Sequence, residues 1–127
     1  MAFEISIETD TRLTRANFIE LAEAYGARPE DRGEDVLVYF PVSEAWLWFD
    51  EVPAEPLRFE IVPEPNWEIG SVMTFRFAYN RSQESHRELD KFLEFLAAGT
   101  AAFFVATVDY SSLWALRDEA GLRFFPM

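Results

Sequence analysis

Side chains able to do acid, base or nucleophilic chemistry are unevenly supplied in this chain. There is one histidine, His86, no cysteine, and 23 acids stand against 11 bases. Without a thiol there is no disulfide framework, no thiolate zinc site and no cysteine nucleophile. His86 follows Ser85 in the first turn of an expected helix, where the dipole opposes a cation and favours neutral imidazole. Such a base could serve Ser82 or Ser85, but no oxyanion-type glycine turn or orienting acid stands nearby in the sequence. A surface or capping role is therefore expected for His86. Acid pairs such as Asp50 with Glu51, or Glu64 with Glu68, match no calcium loop, and no phosphate loop or dinucleotide glycine fingerprint is present. No metal and no cofactor is implied. Glycosidase-like chemistry on two carboxylates remote in sequence would leave no motif, yet it usually needs more chain to build a deep cleft. The expected role is binding another macromolecule, not catalysis.

Charge says where such binding would occur. The net charge is −12, and residues 30–68 hold eleven acids and two bases. That field repels nucleic acid and anionic membrane and steers basic proteins. The competing reading is that acidic charge merely keeps a hydrophobic small domain soluble. Three of the four tryptophans, Trp46, Trp48 and Trp67, fall in the same region. In a strand, Ala45-Trp46-Leu47-Trp48-Phe49-Asp50 puts the two tryptophans on one face and Leu47 and Phe49 on the other. Desolvated rings within a rim of carboxylates form a plausible hot spot. The candidate contacts are Glu44, Asp50, Glu51, Glu55, Glu64 and Glu68 for charge, with Trp46, Trp48 and Trp67 as anchors. The competing use of these rings is to fill a core, expected outright for Phe49, Phe59, Phe75, Phe77 and Phe103. An exposed aromatic patch would equally suit a homodimer contact.

The elements that must position these residues are marked by proline and glycine. Phe3 to Glu8 alternates apolar and polar side chains, as a half-wet strand does and a signal peptide does not. Thr14 can cap a helix, with Leu13 placed to staple Phe18, and Gly26 ends it. Gly26 to Asp35 is charged and reads as a loop. Strands are expected over Val36–Phe40, Ala45–Asp50, Leu57–Val62 and Ser71–Tyr79. Ser85-His86-Arg87-Glu88 matches a capping box, Leu89, Phe92, Leu93 and Leu96 form an apolar stripe, and Gly99 closes this second helix. Ala101–Val108 reads as a central strand, and Leu113–Arg117 with Leu122–Phe125 as a final hairpin. Half the residues are hydrophobic, enough for one core in 127 residues. The result is a single α+β domain: a curved, mainly antiparallel sheet of about 6–8 strands with two helices packed on one face. Parallel pairing is possible around the second helix.

Compact size, lack of cysteine, acidity concentrated beside aromatics, and no catalytic signature together resemble the immunity proteins of bacterial polymorphic-toxin and contact-dependent inhibition systems. The resemblance covers the general character of the whole chain and rests on no motif. It implies a cytoplasmic protein that binds a cognate, often basic, toxin domain and blocks its active site. Two other functions are compatible with the residues. One is an acidic mimic of nucleic acid, which needs a regular track of exposed acids. The other is a small-ligand module or enzyme, which needs a concave cavity lined by aromatic rings.

Overall fold

A computed structural model describes residues 2–58 and 65–125. β1 (Ala2–Asp10) is followed by α1 (Arg15–Tyr25), then β2 (Arg28–Asp31), β3 (Val36–Phe40), β4 (Ala45–Glu55) and β5 (Ile69–Ala78). A 3₁₀ turn, Tyr79–Arg81, leads into α2 (Ser82–Gly99), and β6 (Phe104–Val108), β7 (Ser112–Asp118) and β8 (Gly121–Phe124) complete the chain. The strands form one open sheet in the order β2-β3-β4-β5-β1-β6-β7-β8, with every neighbouring pair antiparallel. This is the expected α+β architecture. No parallel pair forms around α2, because β1 lies between β5 and β6 and runs antiparallel to both.

The helices cover one face of the sheet. Ile5 and Ile7, Val36, Val38 and Phe40, Leu47 and Phe49, and Met73 and Phe75 point towards them and are buried. Phe18 of α1 stacks on Phe49 with centroids 4.3 Å apart, and Phe92 of α2 meets Phe18 and Phe40 edge-on at 6.3 and 5.1 Å. Of the expected core rings, Phe49, Phe75 and Phe77 are buried. Phe103 is only half-buried, with the Arg12 guanidinium 4.3 Å from its centroid. Phe59 lies outside the described residues.

Helix α1 ends as its sequence dictates. Thr14 Oγ1 accepts from the Asn17 amide at 3.3 Å, and Gly26 adopts the left-handed conformation, φ 100°. α2 ends at Gly99 as expected but does not begin at Ser85. Ser85 is an interior, fully buried helical residue whose hydroxyl has no partner among the described residues. The helix instead starts from the preceding 3₁₀ turn, where Ser82 Oγ donates to the Tyr79 carbonyl at 2.6 Å. Glu88, the supposed other half of the capping box, turns inward. Its carboxylate accepts from Tyr25 Oη on α1 and, at 3.1 Å, from Ser43 Oγ in the β3–β4 turn. Burial and that neighbouring carboxylate push the Tyr25 phenol pKa upwards. Gly99 serves packing, since a Cβ there would collide with Leu21 of α1.

Strand boundaries also differ from expectation: β4 runs on to Glu55 and β6 begins only at Phe104. The charged stretch Gly26 to Asp35, expected as a loop, contains β2, an edge strand whose pairing with β3 supplies what its apolar content does not. Charged residues suit such an edge, since they discourage pairing with another chain. Leu57 and Arg58 lie outside any strand, and the rest of the expected strand to Val62 falls outside the described residues.

Candidate functional site

The face turned away from the helices is open over β3, β4 and β5. Alternation along the strands and the register between them fix its rows. Arg28, Tyr39, Trp46, Arg76 and Glu4 follow one another across β2, β3, β4, β5 and β1. Glu30, Leu37, Trp48, Thr74 and Ser6 form the adjacent row. Tyr39 and Trp46 are 4.8 Å apart between centroids, Trp46 is 41% exposed, and Trp48 is half-buried beside them. The rings are therefore bracketed by two arginines. Arg76 lies 3.9 Å from Glu4.

A third row, Asp50, Val72, Glu8 and Val105, marks where this open area ends. Val72, Glu8 and Val105 are buried although they face away from the helices, and the Arg58 amide, in the β4–β5 connection, donates to Glu8 at 2.9 Å. Asp50 remains exposed at the corner. Its carboxyl is pushed above the ordinary range chiefly by partial burial, then by the charge of Asp35, with Arg32 pulling the other way. Arg32 is itself held by two 2.7 Å hydrogen bonds to Asp35.

The candidate contacts thus divide. Trp46, Trp48 and Asp50 share the open face. Glu44 sits at its edge, in the β3–β4 turn, with φ 61° and 3.8 Å from Arg81. Glu51 lies on the helix side, where its Oε2 accepts from the Arg15 amide at 3.4 Å at the start of α1, a favourable place for a negative charge. Glu55 pairs with Arg58 at 3.0 Å. Trp67 is half-buried with its ring 6.5 Å from Phe103, and Glu68 is exposed next to it. That end of β5 is remote from Trp46: Ile69 and Arg76 are separated by seven residues, about 23 Å of strand. Glu64 lies outside the described residues.

Sequence patterning missed Tyr39, Leu37, Arg28 and Arg76 as members of this surface. For Tyr39 and Leu37 the signal was present in the short β3–β4 turn, which pairs Phe40 with Ala45 and so sets Tyr39 opposite Trp46; Arg28 and Arg76 enter through the pairing of β2 and β5.

A second concave feature lies on the helix side, beyond the first turn of α2. It encloses about 270 Å³ between β1, β5, β6, β7 and that turn, with Phe3, Phe77, Tyr79, His86 and Trp114 among its walls. His86 is not a cap and is half-buried. Its ring packs edge-on against Phe77 at 5.1 Å and Trp114 at 4.8 Å. Burial lowers its pKa, opposed in part by Asp90 one helical turn on. Asp90 is thus an acid near the imidazole, but its Oδ1 accepts from Trp114 Nε1 at 2.8 Å.

No family model, curated protein or solved structure matches the chain. Among the described residues, no helix is long and apolar enough to cross a membrane, and no group of three or more acidic or histidine side chains is placed to hold a metal ion.

Proposed function

We propose that this protein acts by binding a basic protein partner on the open sheet face and that, as in the immunity proteins it resembles, the partner is a toxin domain whose action is thereby blocked. The observation that carries this proposal is the Tyr39–Trp46 pair, with Trp48 beside it, on sheet surface that no described element covers. Rings already held by their strands lose little conformational freedom on binding, and their desolvation supplies affinity. Charge acts at two ranges. Far from the surface a partner meets the field of a molecule with net charge −12. Close to, it meets a mosaic in which Arg28 and Arg76 flank the rings while Glu4, Glu30, Glu44 and Asp50 stand around them. The mosaic sets orientation, and the interrupted acids favour a protein over a mimic of the nucleic-acid backbone, which needs a continuous acidic track.

Co-expression with the product of the adjacent gene, followed by pull-down at low and high salt, tests the toxin assignment. Recovery of a complex and relief of toxicity are expected; a harmless neighbour that is not captured would sink that assignment. For the surface, Trp46→Ala should weaken binding by about 2 kcal/mol or more. Its thermal midpoint should stay close to that of the parent, because the side chain is already 41% exposed. Unchanged affinity in that variant would move the contact elsewhere.

A further inference from the structure

The helix-side pocket is independent of the open sheet face and poses a different chemical question. Its volume of about 270 Å³ lies just under the range of sites for drug-sized ligands, so it matches a fragment-sized molecule and not a protein segment. Its walls are mostly aromatic. Phe3 stacks on Phe77 at 5.9 Å and leans on Tyr79 at 5.4 Å, while His86 bridges Phe77 and Trp114 edge-on. Phe3 and Tyr79 are 39% and 64% exposed, large rings at the rim with no described element laid over them.

The polar groups around the pocket are mostly committed. Ser82 Oγ donates to the Tyr79 carbonyl and Asp90 accepts from Trp114 Nε1. Glu4 borders the pocket, but its carboxylate is directed to Arg76, which faces the other side of the sheet. Among the described residues no lysine or arginine lines the pocket. An anionic guest would therefore lose its hydration without gaining a counter-charge, and a cationic one would find only Glu4, already drawn to Arg76. Neutral imidazole remains, able to donate or accept one hydrogen bond.

We propose that this pocket is a binding site for a small, uncharged aromatic molecule, held among Phe3, Phe77, Tyr79 and Trp114, with the imidazole of His86 as its polar contact. Aromatic guests fit because ring edges and faces already alternate around the walls, and a further ring can continue that arrangement. A single hydrogen-bonding group on the guest, such as a pyrrole N–H or a phenol, would satisfy His86.

Indole is a suitable probe, titrated into the intact protein and followed by side-chain and amide NMR. Saturable shifts at Phe3, Tyr79, His86, Val108 and Trp114 are expected, with Tyr39, Trp46 and Trp48 unmoved. Indole-3-acetate and tryptamine, which add a negative and a positive charge, should each bind more weakly than indole. Val108→Trp, which fills the pocket, should abolish the shifts. Should that variant fail to fold, Tyr79→Ala removes an exposed wall and should weaken binding about tenfold. Shifts centred on Trp46 and Trp48, no saturation, or tighter binding of either charged analogue would overturn the proposal. Because the two surfaces lie on opposite faces, either outcome leaves the test of the open sheet face separate.

Discussion

His86 couples its own protonation to folding through its surroundings. Between the rings of Phe77 and Trp114 the imidazole is partly desolvated, and its pKa falls below the ordinary 6.5. The native state then binds a proton less readily than the unfolded chain, so unfolding takes one up between the lowered native pKa and 6.5. Stability from this group rises with pH across that window and is level above it. Asp90 works in the opposite sense and at lower pH. Burial raises its carboxyl above 3.8 against the pull of Trp114 and His86, so protonation there favours the native state as pH falls through the raised value. The expected result is that, as pH falls below 6.5, the thermal midpoint of the parent drops relative to that of His86→Gln, with no relative change above 6.5. Identical pH profiles for the two proteins would show that the imidazole titrates as freely in the folded chain as in the unfolded one.

At the scale of elements, the junction of β1 and β5 is the place least able to tolerate change. The ladder shifts register between Thr9 and Asp10, and Gly70 lies beside that irregularity. A Cβ on Gly70 would stand 2.5 Å from Thr11 Cα, a backbone atom that cannot swing away. Next to it, Asp10 is a junction for the chain: it accepts from the Arg12 and Phe103 amides, both at 2.9 Å, and its own amide donates to Phe103. Gly70→Ala should therefore destabilise the fold by about 1–3 kcal/mol, as overpacking does, measurable by chemical denaturation. A stabilised variant would contradict the close approach. Legibility from sequence follows the same physics. β1 and β5 were readable because their apolar residues alternate against one buried face, β4 because an aromatic and apolar run follows a proline-marked turn, and α1 because Thr14 and Gly26 act locally. β2 was not, since its pairing with β3 depends on residues outside it, and Glu88 misled because its partners come from α1 and the β3–β4 turn. For the site, alternation alone placed Trp46 and Trp48 together. The division of the acids between two faces and two ends of the sheet required the strand register.

For the molecule as a whole, the proposed binding mode would separate the rate of encounter with a partner from the lifetime of the complex. The net charge of −12 acts over distance, whereas the rings of Tyr39, Trp46 and Trp48 act only on contact. Added salt shortens the reach of the charge from about 10 Å at 0.1 M to about 3 Å at 1 M, but leaves desolvated ring contacts largely in place. With a basic partner, the association rate should therefore fall by about tenfold or more over that range, while the dissociation rate changes little. Trp46→Ala should do the reverse, raising the dissociation rate at every salt concentration and leaving the salt dependence of association unaltered. Rate measurements by surface-based or stopped-flow binding across a salt series distinguish the two effects. If association proved insensitive to salt, the concentrated acids would be serving solubility and not steering. If instead salt accelerated dissociation as strongly as it slowed association, the charge pairs at the rim, and not the aromatic centre, would hold the complex together.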